Sequence, residues 1–340
     1  MKELIVKILK FTGFFAIGVI LLFFAFNGIS LKVIIADIKS VKYSWILLSL
    51  LFAFIAYLSR AHRWTLIIEP LHYKPSFSNT FYSLMVGYLA NFAFPRIGEL
   101  TRCASLSKKE KIPVDKLLGT VIVERAVDLF SLMILLVFLL FIRLDTFGSF
   151  LENSVLKPLS EKLIETLGFS WIIWVLILIL LVSGIASYFI FREQLASVKG
   201  VVKLKNIIKG VITGLKTIYK MKRRWEFLLH TLIIWTMYLL MTWVVVFSMP
   251  ATSHLKLIDS VFILVIGGLG MSAPVQAGIG AFHWIVSRGL ATVYASTISL
   301  EDGLVFATVS HESQALLAIF LGATSFFLLF KKKKLALKAL

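Results

Sequence analysis

The chain has 340 residues, 59% of them hydrophobic and 16% charged, with a formal net charge of +18 and one cysteine. Soluble domains carry about 25% charged and about 45–50% apolar residues, so this composition excludes a soluble globular protein and indicates a polytopic membrane protein. The single cysteine, Cys103, excludes an intramolecular disulfide framework and a cysteine-cluster metal site.

Apolar runs fall at 11–29, 44–59, 77–94, 114–142, 171–191, 227–249, 258–273, 279–293 and 304–330. About 20 residues of helix cross a hydrocarbon core of about 30 Å. The first run has that length and lacks a small-residue cleavage site, so it reads as a retained helix. The runs 258–273 and 279–293 are short, glycine-rich and flank Pro274. Backbone groups in lipid must be satisfied internally, which leaves helices and protected broken helices as the only elements at that depth.

Basic residues set the orientation. The stretch 192–224 holds ten lysines and arginines against one acid, so it lies inside the cell. Its apolar positions recur at helical spacing between lysines, the pattern of a basic amphipathic helix on the inner leaflet. The lysines at 331–334 place the C-terminus on the same side. Counting back, 143–170 is an external loop and 96–113 is internal. A re-entrant 77–113 hairpin divides the basic residues before Val114 eleven inside to three outside, against eight to six for a full span. The expected fold is all-α, with about six full spans and two re-entrant helical hairpins drawn from eight or nine hydrophobic segments. Residues 1–340 form one membrane domain in a cytoplasmic (inner) membrane, with both termini cytoplasmic. Residues 11–142 make a first half with a cytoplasmic-side hairpin. Residues 227–330 make a second half whose hairpin, 258–293, is either re-entrant from outside or two short spans. Basic residues dispersed between apolar runs fit anionic lipid headgroups as partners and not nucleic acid.

A faint repeat supports two related halves. "DKLLGTVIVERAVDL" from Asp115 lies over "DGLVFATVSHESQAL" from Asp302 without a gap, pairing Glu124 with His311 and Arg125 with Glu312. Each segment follows a proline-broken hairpin. Opposed units of this kind are the inverted-repeat plan of secondary transporters, although Leu/Val-rich helices also match by chance.

Chemistry is concentrated in three places. In "NFAFPRIGELTRC" the break at Pro95 starts a half-helix whose unpaired N–H groups and positive dipole end face the same region as Arg96 and Arg102. With Gly98, and with Glu99 to orient the arginines, this makes a pocket for an anionic headgroup; the alternative is an interfacial loop. In "VERAVDLF", Glu124 lies about 15 Å into its helix and shares a face with Asp128, with Arg125 beside them. Charges at that depth are tolerated only against protein or water. They form a polar path for a headgroup, a structural ion cluster, or both. "TVSHESQ" adds His311 and Glu312, either a proton carrier or a packed hydrogen-bonding pair. The late hairpin "GGLGMSAPVQAGIGAFH" carries Pro274, Gln276, Gly278, Gly280 and His283, with Arg288 following; its glycines also suit close helix packing. There is no phosphate loop, no H-E-x-x-H, no G-x-S-x-G and no histidine-rich metal spacing, so the expectation is a non-enzyme without a cofactor.

The runs "NFAFPRIGELTRCASL", "VDKLLGTVIVERAVDLF" and "GGLGMSAPVQAGIGAFH" together resemble the flippase-like membrane region of lysylphosphatidylglycerol synthases, over most of residues 11–330. The resemblance implies paired re-entrant elements and movement of an anionic or aminoacylated lipid between leaflets. By position it carries Pro95, Arg96, Gly98, Glu99 and Arg102 onto the family's first hairpin, and Glu124, Arg125 and Asp128 onto its charged helix. The late hairpin departs, with His283 where the family usually has an acid and "APVQAG" where it has a proline–glycine pair. The synthases' soluble aminoacyl-transfer domain has no counterpart before Leu340, so synthesis of the lipid is not expected. The competing expectations are an intramembrane enzyme acting on polyprenyl- or phospholipid-linked substrates, or a scaffold for a cell-envelope synthase. A homo-oligomer or a cell-envelope synthesis partner is compatible with each. Cys103 is expected to react with an impermeant maleimide from the cytoplasmic side.

Overall fold

A computed structural model describes residues 39–142 and 221–331, together with Phe23 and Tyr219. The expected first span at 11–29, the loop 143–170, the span 171–191 and nearly all of the basic segment 192–224 lie outside these residues. Among the described residues every regular element is helical. The helices are α1 (Tyr43–Ile68), α2 (Phe77–Ala93), α3 (Ile97–Glu110) and α4 (Val114–Ile142). After the gap come α5 (Arg224–Val246), α6 (Leu257–Met271), α7 (Ala281–Val293) and α8 (Leu300–Phe330). The helices α1, α4, α5 and α8 are long and apolar enough to cross a membrane.

Local chemistry explains the boundaries. Ser76 caps α2 by accepting from the Asn79 N–H at 3.2 Å, and Ser299 with Asp302 forms a capping box on α8. Helix α2 stops because the residue before a proline is driven out of the helical region: Phe94 sits at φ −140°, ψ 136°. Between α6 and α7 the helix ends at Met271, three residues before Pro274, and Val275 beyond the proline is extended at φ −122°, ψ 162°. Both proline-broken hairpins therefore exist as breaks, at 94–96 and 272–280.

One helix is longer than the hydropathy suggests. The 44–59 run does not end at Ser59; α1 continues through Arg60 and Arg63, both buried. Their charges are answered by carboxylates on α4, so the helix need not emerge. At its other end the basic segment stops one residue earlier than expected, because Arg224 opens α5.

The order long helix, broken hairpin, long helix occurs twice: α1, α2–α3, α4, and again α5, α6–α7, α8. Helix α1 packs along α5, partly by polar contacts such as Ser49 Oγ donating to the Met241 carbonyl at 3.0 Å. The hairpins cross over. Helix α2 packs on α8, and α6 packs on α4. The larger apolar core lies among α5, α6, α7 and α8, with Val245, Phe262, Ile266, Leu290 and Phe306 fully enclosed. A smaller one joins Trp64, Cys103, Leu106, Leu117 and Val121.

The outer surface is apolar. Only 17% of the most hydrophobic stretch of α4 is buried, and Ile122, Phe141, Leu316, Phe320 and Phe327 are exposed. Contiguous exposed hydrocarbon on this scale needs an apolar solvent, which identifies the chain as an integral membrane protein.

Candidate functional site

Four arginines converge on two carboxylates. From α1, Arg60 Nη2 donates to Glu124 Oε1 at 2.5 Å and to Asp128 Oδ2 at 2.9 Å, while its Nη1 donates to the Tyr238 hydroxyl at 2.8 Å. One turn on, Arg63 Nη2 donates to Asp128 Oδ1 at 2.6 Å. From α3, Arg102 Nη1 lies 3.0 Å from Glu124 Oε2. Its guanidinium covers the Trp64 ring at 4.6 Å, and Trp64 is itself fixed by donating to Thr120 Oγ1 at 2.8 Å. On α4, Arg125 reaches Glu124 at 3.0 Å, Asp128 at 3.6 Å and, through Nε, Glu99 at 3.4 Å.

Burial grades across this cluster. Glu124, Arg63 and Arg102 are enclosed, Asp128 is partly open, and the Arg125 and Glu99 side chains are 46% and 44% exposed. Arg60, Arg63, Arg102 and Arg125 carry four positive charges against three from Glu99, Glu124 and Asp128. The cluster is net cationic and opens toward the Arg125–Glu99 side. Among the described residues Arg102 Nε and Nη2 have no hydrogen-bond partner, nor do Arg60 Nε and Arg63 Nε. Buried donors left without acceptors are costly, each about 1–3 kcal/mol, so these groups keep unused hydrogen-bonding capacity.

The residues of the first hairpin divide between two places. Arg102 and Glu99 join the Glu124 cluster, and Glu99 pairs with Arg125 rather than with the other arginines. Arg96 turns away. It caps α3 in the left-handed conformation, φ 61°, and its Nη2 donates to the Ser272 carbonyl at 2.8 Å, at the break of the other hairpin. The start of α3 is also less open than expected, because Gly98 N–H is taken by Asn91 Oδ1 at 2.8 Å. A side chain at Gly98 would collide with the Gly87 carbonyl oxygen, so glycine sets how closely α2 and α3 approach. Pro95 is half-buried and Pro274 exposed at the two breaks.

A second polar cluster joins α7 and α8. His311 Nε2 lies 2.9 Å from the Ala277 carbonyl oxygen, and Nδ1 lies 3.1 Å from Glu312 Oε1. His283 Nε2 is 3.4 Å from the same oxygen. Ala277 (φ 48°), Gly278 (φ 79°) and Gly280 (φ 80°) bend the chain so that the Ala277 carbonyl meets His311. Gln276 is buried beside them, and Arg288 stacks over Trp284 at 5.1 Å. A third group lies at the α1–α5 junction, where His62 Nε2 is 2.7 Å from Glu226 Oε1 and Ser59 Oγ is 2.8 Å from His230 Nδ1.

Arg60 and Arg63 are the residues that hydropathy misses. Cys103 is fully buried beneath Trp64, which corrects the expectation of a freely reactive thiol.

A helical membrane protein with two broken hairpins and a buried cationic cluster is the class that this geometry defines. The chain belongs to the family described as the lysylphosphatidylglycerol synthase transmembrane region, which it matches over residues 11–330. It is 24% identical over 332 residues to a UPF0104 membrane protein of Methanocaldococcus jannaschii, covering 88% of this chain and 91% of that one. No solved structure matches.

Proposed function

We propose that this protein moves an anionic or aminoacylated lipid between the leaflets of the cytoplasmic membrane, without chemical conversion of the lipid. One observation carries the reading: four arginines surround the buried Glu124 and the partly open Asp128, and Arg102 retains two unused donors inside the protein. A carboxylate lattice holds the guanidinium groups in place, so a headgroup phosphate meets a prepared site rather than a hydrated loop. The headgroup enters on the exposed Arg125–Glu99 side, and the acyl chains stay against the apolar outer faces of the long helices. The Arg96–Ser272 contact between the two hairpins acts as the latch.

The test is lipid exchange in proteoliposomes with headgroup-labelled phosphatidylglycerol, against a zwitterionic lipid as control. Arg125→Gln and Arg102→Ala each remove a charge-assisted donor worth about 1.5–3 kcal/mol, so exchange slows roughly 10- to 100-fold. Unchanged exchange in both variants, or equal rates for the zwitterionic lipid, removes the reading. Chemical turnover of the lipid replaces it with an enzymatic one.

A further inference from the structure

His283, His311 and Glu312 present three ligand atoms within 4.8 Å of one another, although they come from two helices and the two histidines are 28 positions apart. The tautomer of His311 follows from its partners. A carbonyl oxygen only accepts, so the nitrogen 2.9 Å from Ala277 O carries the hydrogen. In the neutral ring the other nitrogen, Nδ1, then aims a lone pair at Glu312 Oε1, 3.1 Å away. With no proton on Nδ1, two acceptors 3.1 Å apart are held together by a cation bound to both. Among the described residues the Glu312 carboxylate pairs with these two imidazoles, and no arginine or lysine pairs with it.

From these contacts we infer that His283 Nε2, His311 Nδ1 and Glu312 Oε1 form a binding site for a late first-row divalent cation of the zinc type. The two separations from Glu312 fit, and all three ligand atoms lie within 4.8 Å of one another. Metal–ligand bonds of about 2.0–2.1 Å in a tetrahedron place neighbouring ligand atoms about 3.3 Å apart, and the two contacts to Glu312 Oε1 are 3.1 and 3.4 Å. Two imidazoles and one carboxylate suit zinc or cobalt and not magnesium or calcium. The hydrogen bond from His311 Nε2 to a backbone carbonyl is the outer contact that orients metal-bound histidines. Both histidines are buried, while the Glu312 side chain is 46% exposed and leaves a way in for the ion and for a fourth ligand from solvent.

The other histidine group suits a metal less well. Its carboxylate, Glu226, is already gripped by Arg223 through Nε and Nη2, both at 2.6 Å, and its 2.7 Å contact to His62 is an ordinary hydrogen bond. A cation at His283, His311 and Glu312 ties the start of α7 and the strained 276–280 turn to the middle of α8.

The experiment uses the full chain purified in detergent, stripped with a chelator and titrated with Zn²⁺ by calorimetry, and with Co²⁺ by visible absorption. One ion per chain and the ligand-field spectrum of a tetrahedral site are expected. His311→Ala and Glu312→Gln each weaken binding at least tenfold, and His62→Ala leaves it unchanged; Glu312→Gln keeps the side-chain shape at a half-exposed position should the histidine variant not fold. Absence of stoichiometric binding overturns the proposal. So does binding abolished by His62→Ala instead, or a ¹⁵N spectrum in which His311 holds both ring protons and zinc does not displace one.

Discussion

Arg60 and Glu124 are 64 positions apart, yet they meet at 2.5 Å with less than a tenth of either side chain exposed. This contact connects α1 to α4, and Arg63, Arg102, Arg125 and Asp128 assemble around it.

Removing one member of such a lattice strands the others. Glu124→Gln leaves Arg60, Arg63 and Arg102 buried against a neutral amide, at a cost of about 3–5 kcal/mol. Pairing it with Arg102→Met removes the excess charge together with its partner and recovers part of the loss. Thermal unfolding in detergent of the two single variants and the double measures this. A coupling of about 1–3 kcal/mol is expected, and strict additivity contradicts the lattice.

Two glycines separate crowding from helix propensity. A methyl group at Gly98 meets the Gly87 carbonyl and the Asn91 side chain, whereas one at Gly119 meets nothing within 4 Å. Gly98→Ala lowers stability by about 1–3 kcal/mol through overpacking. Gly119→Ala raises it by up to about 1 kcal/mol, because alanine is the better helix former. Melting temperatures that move in the same direction contradict this account.

The Arg96–Ser272 hydrogen bond is exposed and spans the two breaks. Arg96→Ala is therefore expected to change stability by no more than about 0.5 kcal/mol while speeding downhill lipid exchange, since the latch is gone. An exchange rate equal to the parent's shows that the contact holds nothing closed.

Cys103 reports on folding rather than on sidedness. A fluorogenic maleimide reacts with it only as the fold opens, in step with the loss of helical signal on heating. Fast labelling of the native protein contradicts the buried position. The topology is read instead from Cys103→Ser/Lys111→Cys, whose new thiol sits at the exposed end of α3; labelling from the cytoplasmic side is the expected outcome, and labelling from outside contradicts the orientation read from the basic residues.

The two broken hairpins were legible because proline leaves a local signature, and the structure places the breaks at 94–96 and 272–280. Helix α4 begins where its hydropathy does. Arg60 and Arg63 were not legible from hydropathy, which treats any arginine as an exit from the membrane. Their compensation lies 64 residues downstream. A trace of it exists: the buried positions Ser49, Ala53, Ala56, Arg60 and Arg63 follow one another at alternating spacings of four and three, so both arginines continue a stripe of small residues facing the interior. Arg96 and Arg102 were grouped because they are neighbours in the chain. Arg96 stands outside the helix at its left-handed cap while Arg102 lies within α3, so their side chains depart in different directions. His311 and Glu312 were legible as neighbours in the chain, but His283 joins them only when α7 returns along α8.

Because α2 rests on α8 and α6 rests on α4, each half of the molecule holds the other's bent segment. The two repeats are clasped rather than merely adjacent. Neither can tilt without carrying the other's bent segment with it. For the lipid movement proposed above, this mechanical reciprocity predicts that a displacement begun in one half is transmitted to the other.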